Sequence, residues 1–298
     1  MAPARESFSF TASDGIILHG ERWGDGPRPL VFSPGTGLPV ETYVPALAGT
    51  LPGVTVHALG TRGHGRSEVP HQGADWEPAK ADLRKFVAET FPEPPIVAGH
   101  SLGALLSLWL AADHPGLVAG LLLLDPVFYE GSAEIPPPEA EKLLADFLAR
   151  SKTRRHRWPS RADAEEKLRG RGGYAGWAEA PFQAFLDFGL KEERQGGGVT
   201  LSCPPWLETA FYEKRPSQPI WDWIRRCRVP AVIVRGRQSR VAASHAIEEL
   251  ADAIPIATVM TVKGDHTFAQ EHPAETAEVL RFAWAILERE TATACSAR

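Results

Sequence analysis

The stretch that decides the fold is PPIVAGHSLGALLSLWLAADHP, residues 94–115. A short apolar run, Ile96-Val97-Ala98, ends in Gly99-His100-Ser101-Leu102-Gly103, and a helical pattern begins with no spare residue between. So tight a junction excludes side chains at its glycines and cramps the backbone at its centre. That cost makes sense when a side chain in the turn has a task. Gly-x-Ser-x-Gly between a buried strand and a long helix is the pattern of a nucleophile elbow, which lifts a serine hydroxyl above the sheet. The plainer reading is a tight strand-to-helix turn with a bystander serine.

Outward from this junction, apolar runs recur: PLVFS, VTVHAL, PIVAG, GLLLLD, PAVIVRG and ATVMTV. Several are apolar on both faces, as suits strands buried in a parallel sheet. SFSFTASDGIILHGERWG alternates instead, and reads as two antiparallel strands joined at Ser13-Asp14-Gly15. Helical patterns over 41–50, 76–91, 101–113, 243–253 and 274–289 separate most of the runs. The expected fold class is therefore α/β, a mostly parallel sheet flanked by helices.

Segment 128–218 breaks the alternation. It holds no clear buried strand, and PPPEAEKLLADFLARS, RADAEEKLRGR, WAEAPFQAFLDFGLKEER and PPWLETAFYEKR read as helices, with QGGGVTLS a flexible turn. The expected organisation is a core of residues 1–127 and 219–298 with a helical cap inserted at 128–218.

At 298 residues the chain has room for one large α/β domain with such an insertion. No run reaches the roughly 18 apolar residues of a membrane span. The start, MAPARESFSFTASDG, lacks the order of a signal peptide, so a cytoplasmic protein is expected. Three cysteines, Cys203, Cys227 and Cys295, have no metal-ligand spacing and suit reduced thiols. A net charge of −5 gives no global pull toward nucleic acid or anionic membranes. The basic run RSKTRRHRW at 150–158 reads as a solvated helix end rather than a binding patch.

A serine hydroxyl is a poor nucleophile near neutral pH and needs a base. Of ten histidines, His266 in VKGDHTFAQEHP follows the last apolar run and precedes the last helix. It therefore stands at a strand's C-terminal edge, where catalytic groups gather in open α/β sheets. His100 lies in the elbow itself, where its neighbouring serine is the exposed group.

Together these motifs resemble the α/β-hydrolase superfamily over essentially the full chain. VFSPGTG is similar to the loop after that fold's third strand, TRGHGRS to the glycine loop after the fourth, and GHSLG to the elbow. GDHTFAQEHP is similar to its histidine loop, and 128–218 stands where a cap domain is inserted. The resemblance implies cofactor-free serine hydrolase chemistry, with an oxyanion hole made by the backbone N–H groups of Leu102 and Thr36. Pro34-Gly35 here replaces the common His-Gly. The superfamily's acid most often follows the strand equivalent to PAVIVRG, yet that loop reads RGRQSRVAAS, with Ser239 and Arg240 and no carboxylate before Glu248. Another version of the family carries the acid one strand earlier, where LLLLDPV supplies Asp125. The order Ser101, Asp125, His266 is then kept. The alternative use of Asp125 is to cap a turn before Pro126. Glu130 is the reserve acid, while Asp265 adjoins the histidine too closely to face its ring.

The expected substrate is a small-to-medium, largely apolar carboxylic ester or lactone, cleaved through an acyl-enzyme, and no metal or other cofactor is expected. Among the cap aromatics, Tyr129, Trp158 and Phe185 are expected to line its pocket; the competing reading is that they only pack cap helices. A serine at the elbow, rather than an aspartate, disfavours epoxide hydrolase and dehalogenase chemistry. The alternatives are a cofactor-free haloperoxidase or carbon–carbon bond hydrolase using the same triad. From another class, the alternative is a weakly catalytic ligand-binding protein on this fold. No nucleic acid partner and no membrane span is expected, and the oligomeric state is not legible.

Overall fold

The computed structural model describes residues 5–71, 75–127, 138–193, 196–214, 220–239, 241 and 244–296. The elements in chain order are β1 (Arg5–Thr11), β2 (Ile17–Trp23), β3 (Arg28–Ser33), α1 (Val44–Leu47), β4 (Val54–Leu59), α2 (Trp76–Thr90), β5 (Ile96–His100), α3 (Leu102–Asp113) and β6 (Gly120–Leu124). Then come α4 (Pro138–Thr153), β7 (Arg157–Trp158), α5 (Arg161–Leu168), α6 (Glu179–Phe188), β8 (Leu190–Glu192), β9 (Val199–Leu201) and α7 (Pro205–Glu213). The chain closes with α8 (Ile220–Arg226), β10 (Ala231–Gly236), α9 (Ser244–Ala253), β11 (Ala257–Val262), α10 (Phe268–Glu271) and α11 (Pro273–Ser296).

Among the described residues, eight strands form one sheet in the order β1-β2-β4-β3-β5-β6-β10-β11. β1 pairs antiparallel with β2, and β2 with β4. Every later pair is parallel. The central strands are apolar on both faces because each face has its own core. On β5 and β6, Val97, Leu121 and Leu123 pack on one side with α2, α3 and α8. Their neighbours Ile96, Ala98, Leu122 and Leu124 pack on the other with α1 and α11. Helix α3 is buried at every position from Leu102 to Ala112, which explains why its sequence is apolar all round.

The register sets the site. His100 on β5 pairs with Leu124 on β6, and Leu124 pairs with Val234 on β10. The next residue on each of the first two strands continues the ladder: Ser101 N–H donates to Leu124 O at 3.0 Å, and Asp125 N–H to Val234 O at 2.7 Å. Both side chains thus leave the sheet at the same edge, on adjacent strands.

Among its described residues, the stretch between β6 and β10 adds no strand to this sheet. It carries α4 to α8 and a separate three-stranded sheet, β7-β9-β8, antiparallel throughout. These strands, of two or three residues, are too short for alternation to announce them. Within QGGGVTLS, the described residues from Gly196 onward are a turn and then a strand: Gly196, Gly197 and Gly198 all have positive φ and feed β9. Two other elements differ from the sequence reading. The pattern at 41–50 becomes a 3₁₀ turn at Val40–Tyr43 followed by the short α1, and α8 had no distinct sequence signal. Among the described residues no helix is long and apolar enough to cross a membrane.

Candidate active site

Ser101 sits between β5 and α3 with φ 54° and ψ −115°, a left-handed backbone that an L-residue adopts at a cost. Two close approaches hold it there. A Cβ on Gly99 would stand 2.2 Å from the carbonyl carbon of Gly103, and one on Gly103 would stand 2.1 Å from Ser33 O. Glycine at both positions is what lets the helix start lie against the strands. Asp125 is the other non-glycine residue with positive φ among those described, at 40°.

The structure brings the three predicted side chains together. His266 Nε2 lies 3.0 Å from Ser101 Oγ, and its Nδ1 lies 2.7 Å from Asp125 Oδ2. Asp125 is fully buried. Its carboxylate also accepts from Ser239 Oγ at 2.5 Å and from Gly236 N–H at 3.0 Å. Burial pushes its pKa up, but the bonds from His266, Ser239 and Gly236 outweigh that cost and hold it below the usual carboxylate value. Asp265 bonds the backbone N–H of His266 at 2.8 Å and does not hold the ring. Arg240 and Glu130 lie outside the described residues, as does Tyr129.

The N-terminus of α3 offers Leu102 N–H above the serine, where first-turn amides have no partner within the helix. The loop carrying Thr36 lies against Ser101: a Cβ on Gly35 would stand 3.3 Å from Ser101 Cβ. Among the described residues neither the Leu102 nor the Thr36 N–H has an acceptor. Amides so placed suit a developing negative charge.

Among its described residues, the inserted segment reaches the histidine loop and the Thr36 loop at this edge. Trp177 Nε1–H donates to Thr267 Oγ1 at 3.1 Å, next to His266. On α7, Glu208 pairs with Arg154 at 2.6 Å, and its Oε1 would lie 3.5 Å from a Cβ on Gly37. Arg154 also donates to Tyr174 Oη at 3.1 Å. Trp158 and Phe185, by contrast, are buried in the insertion's own apolar cluster with Ala164, Phe182, Leu186 and Leu190. Their packing partners are residues of the insertion. Cys203 and Cys227 are buried free thiols, and burial raises both pKa values. Among the described residues no group of three or more His, Cys, Asp or Glu could hold a metal ion.

Sequence reasoning gave no role to three buried residues beside Ser101, Asp125 and His266: Ser239, Tyr43 and His100. Ser239 occupies the loop where the acid is most often found, and that location was the available signal. Nothing in the sequence pattern marked Tyr43.

Fold and site define a hydrolase of the α/β class, and the chain belongs to the alpha/beta hydrolase family, which matches residues 16–279. It is similar to the 2-(acetamidomethylene)succinate hydrolase of Mesorhizobium japonicum, 24% identical over 89% of this chain and 90% of that protein. A crystal structure of E-2-(acetamidomethylene)succinate hydrolase superposes with a TM-score of 0.77 at 23% identity, covering 94% of this chain and 100% of the other. The dihydrolipoyllysine-residue acetyltransferase component of the acetoin cleaving system of Cupriavidus necator is 31% identical over 42% of this chain, a match spanning only 33% of that protein.

Proposed function

We propose that this protein is a serine hydrolase that cleaves a carboxylic ester or lactone through an acyl-enzyme. The observation that carries the reading is the continuous path from Ser101 Oγ through His266 to Asp125, at 3.0 and 2.7 Å, on a strained elbow. Ser101 attacks the carbonyl carbon while His266 Nε2 takes its proton. The oxyanion is met by the N–H groups of Leu102 and Thr36. The same proton then leaves with the alcohol, and water attacks the acyl-serine by the reverse route. Asp125 holds the Nδ1–H tautomer and stabilises the imidazolium. No step in this scheme calls for a metal or an organic cofactor, and a small-molecule substrate is the partner it requires.

The insertion serves as the cap over this edge, since Trp177 and Glu208 reach the two loops that carry His266 and Thr36. A second reading, hydrolysis of an amide that bears carboxylates, is favoured by the relative whose name specifies 2-(acetamidomethylene)succinate and which matches 89% of this chain.

One experiment separates these readings. Labelling by a fluorophosphonate is measured first, then turnover of p-nitrophenyl esters of rising chain length beside N-acyl aminomethylene dicarboxylates. Probe uptake with ester turnover is the expected result. Uptake with amide turnover alone selects the second reading, and no uptake overturns both.

A further inference from the structure

The triad does not account for His100, although it is the residue before the nucleophile and only 1% exposed. Its ring makes two hydrogen bonds. Nε2 lies 2.8 Å from the backbone carbonyl of His266, and Nδ1 lies 2.7 Å from Tyr43 Oη. A carbonyl can only accept, so Nε2 carries the proton and Nδ1 presents its lone pair. Tyr43 must then donate its O–H to Nδ1. Its oxygen is left to accept, and it accepts from Gly35 N–H at 3.0 Å. Donors and acceptors along the chain thus alternate in one consistent sense.

The ends of this chain matter. Gly35 immediately precedes Thr36, and His266 is the base. Three hydrogen bonds therefore run from the loop that would bind the oxyanion to the backbone of the residue that would move the proton. The packing around them is close. A Cβ on Gly35 would stand 2.7 Å from His100 Nδ1, and the His100 and His266 rings lie 4.6 Å apart between centroids.

We propose that Tyr43 and His100 are positioning residues, a buried strut that fixes the spacing between the Thr36 amide and His266. The proposal rests on the acyl-enzyme reading for its effect on rate, but its geometry stands without it. Burial holds His100 down to about pKa 3, so the strut stays neutral and keeps one tautomer throughout the working pH range. Neither residue touches the reacting atoms. Their effect is on alignment, and an interaction felt mainly in the transition state lowers kcat with little change in KM.

The test uses three full-length variants. Tyr43→Phe keeps the ring that packs on Phe32 and removes only the hydroxyl. Its kcat on p-nitrophenyl esters should fall roughly 10- to 100-fold, with KM changed by less than about threefold, and fluorophosphonate labelling should slow in parallel. His100→Ala should show a comparable loss. His100→Gln keeps an N–H able to reach the His266 carbonyl and should recover part of it, which a role in packing alone does not predict. A readout independent of turnover is the downfield Nδ1–H proton of His266 by NMR in the absence of substrate. Tyr43→Phe should shift it or speed its exchange. A folded Tyr43→Phe protein with wild-type kcat, or with that proton unmoved, overturns the strut. A wild-type protein that takes neither probe nor ester overturns the acyl-enzyme reading instead, and the NMR comparison still decides on the strut.

Discussion

Ser239 donates its hydroxyl to Asp125 Oδ2 at 2.5 Å, so the loop where the superfamily most often keeps its acid supplies this acid with a donor. The carboxylate follows β6, one strand from the loop after β10 that donates to it. Asp125→Asn should lower kcat roughly 10³- to 10⁴-fold by favouring the wrong imidazole tautomer and leaving imidazolium unsupported. Ser239→Ala removes one of three donors and should cost far less, about 3- to 10-fold. Steady-state kinetics on one p-nitrophenyl ester checks both, and equal losses would contradict the ranking.

Ser101→Ala should abolish fluorophosphonate labelling and lower kcat by about 10⁴ or more. Intact-mass spectrometry after exposure to the probe reads the first effect directly. Adduct formation on the alanine variant would move the nucleophile elsewhere.

Buried neutral histidines should make the fold sensitive to mild acid. Burial holds His64 down to about pKa 4 and His100 to about 3, against the ordinary histidine value of 6.5. The unfolded chain therefore binds protons that the native state refuses, and stability is lost as pH falls below about 6.5. Between pH 7 and 5 each should contribute a loss of up to about 2 kcal/mol. Urea denaturation at both values measures it. Equal midpoints at pH 7 and 5 would show these rings to be hydrated or already paired.

Trp158→Ala should act on the insertion and leave the chemistry alone. Trp158 packs among Phe182, Phe185 and Leu186, so truncation opens a cavity worth about 3–5 kcal/mol in a cluster of its own. Limited proteolysis should find new cleavage sites within 138–214 while the probe still labels Ser101. Loss of labelling would place Trp158 in the chemistry instead.

The sequence made the central sheet legible because its strands are buried on both faces and so read as uninterrupted apolar runs. Ser101 was legible because a strained elbow needs glycines at fixed offsets, and His266 because it follows the last run. Asp125 was legible through the resemblance, one version of which keeps the acid a strand earlier, once RGRQSRVAAS offered no carboxylate. Three things were not. β7 to β9 are too short for a period of two to show. Trp158 and Phe185 read as pocket aromatics because composition does not distinguish a ring packed inside a subdomain from one facing a ligand. Tyr43 reaches His100 across 57 residues of sequence through a single hydroxyl, and a bond of that kind leaves no pattern along the chain.

The adjacent-strand register also orders the assembly of the site in time. Ser101 and Asp125 are joined by one helix and one strand, so their meeting closes a short loop and costs little chain entropy. His266 must arrive from 165 residues beyond the serine, after the inserted segment and β10 have found their places. During refolding, helix content and the β5–β6 pairing should therefore return before any ability to react with a phosphonate. Recovery of labelling is the chain's own clock for the docking of β11.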